Sequence, residues 1–181
     1  MEVIKKFVEI DLPLQRYIRN LNKRQVYNDR QCVKILNSYL PEVEKYFNVT
    51  LLPTYCFLRK YIKGEQLKKH KDRTACEYSV TLNIETNTRW PLNFQLDENN
   101  VYEGYTTSPG DAILYKGCEY THWRTPLQEG FQNQLFLHYV NANGPHACQH
   151  KDVMMKRGVK GDINAWKIAR PNQGLPPQYQ N

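Results

Sequence analysis

The chain has 181 residues, a formal charge of +7, and 40% hydrophobic and 12% aromatic residues, with 13 tyrosines. That length fits a single domain that buries a core unaided. Its five cysteines (Cys32, Cys56, Cys76, Cys118 and Cys148) are odd in number and lack a C-x-x-C pair. They exclude a disulfide scaffold and a zinc knuckle of paired cysteines, and read as reduced thiols. No apolar stretch reaches membrane-spanning length and Met1–Lys6 lacks the apolar core of a signal peptide, so a cytoplasmic protein with no membrane partner is expected. Residues 151–181 hold six Lys/Arg against two Asp, which places four of the seven excess charges at the C-terminal end.

Residues 1–50 read as helical. From Asn28, residues Cys32, Ile35, Leu36 and Leu40 recur at helical spacing, with Asn28 or Asp29 as the cap. Pro41 ends that helix and suits the first turn of another, Pro41–Phe47. Front-end helices of this kind pack on the outside of a later sheet. From Pro53 the pattern changes to short strands, Tyr55–Ile62, Cys76–Ile84, Leu92–Leu96, Ala112–Tyr115 and Gln134–Val140, separated by polar turns. The fold class is therefore α+β: a double-sheet jelly roll or barrel over 53–140, helices on one sheet, and an irregular segment over 141–181.

Within this frame His70-Lys71-Asp72 follows the first strand and the Lys63-Gly64 turn. His122 comes after the punctuation Ser108-Pro109-Gly110-Asp111. Alternate residues of an extended strand share a side, so His70 and Asp72 face one metal while Lys71 points away, and His122 is expected from the facing sheet. Two imidazoles and one carboxylate with open positions are the ligand set of non-haem Fe(II) oxygenases.

The run from Leu58 to Asp72, with Tyr61, Gly64 and the H-x-D in that order, resembles the iron-binding entry of the Fe(II)/2-oxoglutarate dioxygenases, in particular the prolyl-4-hydroxylase-like branch. Pro109–Tyr115, His122 and the strand ending Leu137-His138-Tyr139-Val140 look like the second half of the same fold. The likeness spans Pro53 to Val140. It implies a double-stranded β-helix core, and Fe(II) held by His70, Asp72 and His122. It also implies 2-oxoglutarate and O2 as cosubstrates, with decarboxylation to succinate and CO2 coupled to substrate oxidation. By the same likeness, the expected activity is hydroxylation of an amino-acid residue in a peptide or protein, a small molecule being the other option.

One departure from the family stands out. Its members place an Arg or Lys on the strand after the distal histidine to pair with the far carboxylate of 2-oxoglutarate, and here Gln132 falls at that position. A buried carboxylate needs a cation. Arg124, two residues past His122, and Arg59, in strand parity with Tyr61, are the expected substitutes, with Tyr61 as a further contact. Arg73 has the opposite parity to Asp72 and suits a loop or the substrate. Ser79, Thr81 and Asn83 share one face and offer hydrogen bonds to the cosubstrate, while Val80, Leu82 and Ile84 take the other.

Other readings are weaker. Trp90 and Trp123 read as aromatic core, with a substrate platform as the alternative. His146, Cys148 and His150 share a side if extended, with His138 as a fourth zinc ligand, but an exposed loop is the default there. A hydrolase built on Cys118 has no specific motif behind it. The basic balance keeps a nucleic-acid-modifying oxygenase as the alternative substrate class, and the uncharged Gln132 keeps a non-catalytic binding module. The sequence carries no signal for oligomeric state.

Overall fold

Strand β3 (Leu51–Ile62) and strand β10 (Phe131–Asn141) are the longest elements, and they pair antiparallel along nearly their whole length. They form the spine of the computed structural model, which describes residues 1–99 and 101–150. The remaining strands are β1 (Glu2–Ile4), β2 (Gln25–Tyr27), β4 (Leu67–His70), β5 (Tyr78–Thr86), β6 (Leu92–Gln95), β7 (Tyr102–Tyr105), β8 (Ala112–Tyr115) and β9 (His122–Arg124). The helices are α1 (Leu12–Asn20), α2 (Arg30–Ser38) and α3 (Leu40–Phe47). A six-stranded sheet runs β1-β8-β5-β10-β3-β2 and a four-stranded sheet runs β4-β9-β6-β7, with every pair antiparallel. This is the jelly-roll arrangement expected. No described helix is long and apolar enough to cross a membrane.

Strand alternation sorts the side chains. Cys56, Leu58, Val80, Leu82, Leu135 and Leu137 face outward from the large sheet and bury with Ile18, Cys32, Leu36 and Val43 of the helices. The opposite face carries Tyr55, Phe57, Arg59 and Tyr61 of β3 with Phe136 and His138 of β10 around a cavity. Asp29 caps α2, accepting from the Gln31 and Cys32 amides, and Pro41 occupies the first turn of α3.

Several boundaries differ from the sequence reading. The first 50 residues are not wholly helical: β1 joins β8 and β2 joins β3. Three-residue strands are too short to display an alternation. β3 begins at Leu51 and runs through Pro53, which the β10 bulge between His138 and Tyr139 accommodates. Cys76 belongs to a 3-10 turn (Thr74–Cys76) that precedes β5. The expected irregular tail beyond 150 lies outside the described residues.

The turn before β8 is tied to the N-terminal segment. Gly110 has φ +90, and a Cβ there would meet the Val8 carbonyl. Buried Asp111 accepts from the Ser108 and Lys6 amides and from Lys5 Nζ, at 2.9, 3.1 and 2.9 Å. Burial alone would raise this carboxyl, but those donors hold it below its ordinary value of 3.8. A depressed carboxylate contributes stability above its unfolded pKa and loses it as pH falls through the folded one. Asp111→Asn should therefore cost about 2 kcal/mol near neutrality. The difference between variant and wild type, read by urea melts, should shrink below pH 4.

Candidate metal centre

β4 and β9 lie side by side with His70 directly opposite His122, which brings the two rings to 4.4 Å between centroids. The histidines thus come from adjacent strands of one sheet, not from facing sheets as the spacing suggested. Asp72 sits two residues past His70, beyond the end of β4, with its amide donating to the Gly117 carbonyl at 2.9 Å. Asp72 Oδ1 lies 3.4 Å from His70 Nε2 and 3.6 Å from His122 Nε2. These three groups form a cluster whose ligand atoms all lie within 4.8 Å of one another.

The backbone selects which nitrogens face the centre. His70 Nδ1 meets the Lys68 carbonyl at 2.6 Å and His122 Nδ1 meets the Tyr120 carbonyl at 2.9 Å. A carbonyl only accepts, so each Nδ1 carries a proton and each Nε2 keeps its lone pair for a metal. Burial lowers the His122 pKa, while the bond to Asp72 raises that of His70. Burial would raise the Asp72 carboxyl, but His70, His138 and His122 together hold it below its ordinary value.

Ser79 is positioned differently from expectation. Its hydroxyl donates to Asp72 Oδ2 at 3.1 Å and sits 3.0 Å from His138 Nδ1, which leaves Asp72 Oδ1 to face the histidines. Sequence reading gave Ser79 to the cosubstrate and His138 to a separate zinc site. Their shared strand faces were the available signal, because His138 lies opposite Ser79 in the β5–β10 register. Removal of an outer hydrogen bond to a ligand typically weakens metal affinity about 10- to 100-fold. Ser79→Ala should fall in that range by competition with a chromophoric chelator, without loss of fold.

A cavity of about 350 Å³ opens on the cluster, lined by Tyr27, Tyr55, Phe57, Arg59, Tyr61, Leu67, His70, Lys71, Asp72, Arg73, Cys76, Tyr115, His122, Phe136 and His138. Tyr61 is buried, with the Arg59 guanidinium 4.3 Å from its ring centroid. Arg59 is 3.7 Å from Glu65. Arg124 is 2% exposed and stands behind the residues that line the cavity rather than among them. Its Nη1 donates to the Trp90 carbonyl, whereas Nη2 has no hydrogen-bond partner. Burial pulls its pKa down to about 10.

Gln132 is buried, as is Gln134. Gln132 donates to Gln134 at 2.6 Å, which donates to Thr81 at 2.6 Å. Thr81 and Gln132 are thus joined through an amide chain and do not line the cavity. Asn83 is directed elsewhere, donating to the Thr107 carbonyl at 2.7 Å.

The remaining candidates separate cleanly. Trp90 is core, with its indole donating to the Thr125 carbonyl. Trp123 is not: it is only partly buried, with Lys69 Nζ 4.9 Å from its ring and Tyr102 beside it. Residues 146–150 form turns and the start of a helix instead of an extended strand, which removes the premise of the His146/Cys148/His150 site. His150 instead bonds the Pro53 carbonyl. Cys118 approaches the Arg73 carbonyl at 3.4 Å, and burial pushes its thiol up to about 11, unsuited to a nucleophile.

No family model and no curated protein matches the sequence. Solved structures do match in shape. A prolyl-4-hydroxylase from Pseudomonas putida aligns with a TM-score of 0.63 at 15% identity, over 77% of this chain and 91% of that one. SnoN, a non-heme alpha ketoglutarate dependent epimerase from nogalamycin biosynthesis, gives 0.64 at 8% identity, over 77% and 78%. An oxidoreductase of the 2OG-Fe(II) oxygenase family from Burkholderia pseudomallei gives 0.53 at 15% identity, over 61% of this chain. The chain spans 56% of that protein's length. By its two antiparallel sheets and these likenesses, the chain has the double-stranded β-helix fold found in 2OG-Fe(II) oxygenases.

Proposed function

We propose that this protein is a non-haem Fe(II)/2-oxoglutarate-dependent dioxygenase, with His70, Asp72 and His122 as the iron ligands. The observation that carries the reading is the gathering of two Nε2 lone pairs and one carboxylate oxygen on one side of an open cavity. That donor set fits iron with open positions better than a closed structural site. The bound iron and cosubstrate supply the oxidation of an unactivated C–H bond, coupled to decarboxylation of 2-oxoglutarate to succinate.

The chain's own residues position and shield. The Lys68 and Tyr120 carbonyls fix the ring tautomers, and Ser79 fixes the carboxylate. The dianionic cosubstrate requires a buried cation, and the unpaired Nη2 of Arg124 fits that need. Arg59 and Tyr61, which line the cavity from β3, would hold the cosubstrate with Arg124, while Gln132 and Thr81 act only through their amide chain with Gln134. Arg124 as the anchor would supply the charge whose absence at Gln132 is the ground for the non-catalytic binding module. Unpaired cysteines fit a reducing, cytoplasmic setting.

Hydroxylation is the expected outcome. A peptide residue as substrate rests on the family resemblance, whereas the rings and cations around the mouth favour an anionic, ring-bearing substrate. The test of the oxygenase reading is succinate formation from 2-oxoglutarate with Fe(II), ascorbate and air. Slow substrate-independent turnover is expected in the wild type and none in Asp72→Ala. Equal succinate from both proteins would overturn the assignment.

A further inference from the structure

We propose that the substrate of this centre is a nucleotide unit of a single-stranded nucleic acid, its base stacked on the ring wall beside the metal and its phosphates held by Lys71 and Arg73. This rests on the oxygenase reading. Three elements build the wall. Tyr27 of β2 stacks on Phe57 of β3 at 4.4 Å and 20°, and Phe57 lies nearly parallel to Phe136 of β10 at 5.9 Å and 21°. Phe136 is in turn parallel to the His138 ring, at 6.4 Å and 2°. Tyr27 is 44% exposed although it is large and aromatic. A run of near-parallel rings leading from solvent to a reactive centre suits another flat ring. Bases stack on aromatic side chains with little regard to sequence, because every base has a π-face.

Charge points the same way. The cavity lining holds Arg59, Lys71 and Arg73 against one carboxylate, that of Asp72, which the metal centre uses. With Arg124 serving the cosubstrate, Lys71 and Arg73 are left for a second anion. Arg73 already lies over the Tyr55 ring at 5.0 Å, placing a cation beside the wall. Lys68, Lys69, Lys71 and Arg73 are all exposed. Of these, Lys71 and Arg73 line the cavity, whereas Lys69 lies over the Trp123 ring. Aromatic stacking interleaved with a basic track is the design of single-strand binding surfaces. A cavity of about 350 Å³ shared with 2-oxoglutarate admits a base-sized group and leaves the strand outside, as extrusion of one base requires. An acidic peptide would use the cations but not the wall.

The test is fluorescence anisotropy on the full chain with a labelled, mixed-sequence single-stranded 15-mer, against an abasic strand of equal length and against free deoxynucleotides as competitors. The abasic strand removes the bases while keeping the phosphates, so binding through charge alone is subtracted. The 15-mer should bind at least tenfold tighter than the abasic strand. Tyr27→Ala should weaken it about tenfold and Tyr27→Phe restore it. Arg73→Ala should flatten the log–log salt dependence by about 0.7. Equal binding of abasic and normal strands, an unaltered Tyr27→Ala, or competition by free nucleotides as strong as by the strand would overturn the proposal. Anaerobic Fe(II) and 2-oxoglutarate added to the same preparation separate the two claims. Their charge-transfer band without base-dependent binding sinks the substrate and leaves the oxygenase, and binding without the band removes both.

Discussion

Replacing Arg124 with methionine should weaken 2-oxoglutarate binding about 100-fold while leaving Fe(II) affinity within a factor of three. That loss is the size of one buried charge-assisted partner, about 3 kcal/mol. Arg124 shares strand parity with His122 on β9, and burial pulls its pKa down to about 10. Only one of its terminal nitrogens is satisfied within the protein. The same substitution should leave the metal-free protein folded, because the relief of a buried charge offsets the donor that the Trp90 carbonyl loses. Arg59→Ala should have the smaller effect on cosubstrate affinity, since Arg59 already lies over Tyr61 and near Glu65. Isothermal titration of the Fe(II)- or Mn(II)-loaded proteins measures both, and the reverse ranking would move the anchor to Arg59.

Gly117→Ala should damage the metal centre from behind. A Cβ there would overlap Asp72 Oδ2 and the Cys76 carbonyl, with Asp72 Cβ at 2.9 Å. One obstacle is backbone, held in turn by the Gly117 amide's bond to the Glu77 carbonyl at 3.0 Å, so the strain cannot be relieved by a side-chain rotation. Overpacking of this kind costs about 1–3 kcal/mol. Because the ligand itself is displaced, metal affinity should fall by at least tenfold in addition. Chemical denaturation and chelator competition read the two effects separately. A destabilised variant with unchanged metal affinity would show that Asp72 is not held in place by this contact.

Much of this centre was legible in the residues. H-x-D spacing pairs His70 with Asp72, parity puts Arg124 with His122, and the absence of charge at Gln132 is visible in the sequence itself. Alternation on β5 correctly sent Val80, Leu82 and Ile84 to the helix-covered side. Which sheet carries His122 was not legible, because spacing along the chain does not encode the pairing of β4 with β9. Ser79 was read onto the right face but given the wrong partner, since a hydroxyl's acceptor is set by tertiary packing. The ring wall was missed because Tyr27, Phe57 and Phe136 come from three strands, one of them only three residues long. Trp123, for which core is the first reading and a substrate platform the second, is only partly buried because its position on β9 alternates with those of His122 and Arg124.

Anaerobic titration of the Fe(II)-loaded protein with 2-oxoglutarate tests the central claim most directly, through the visible metal-to-ligand charge-transfer band. The account predicts a saturable band in the wild type, its loss in Asp72→Ala, and its appearance only at much higher 2-oxoglutarate in Arg124→Met. Iron demonstrably bound at His70, Asp72 and His122 with no band at any 2-oxoglutarate concentration would contradict it.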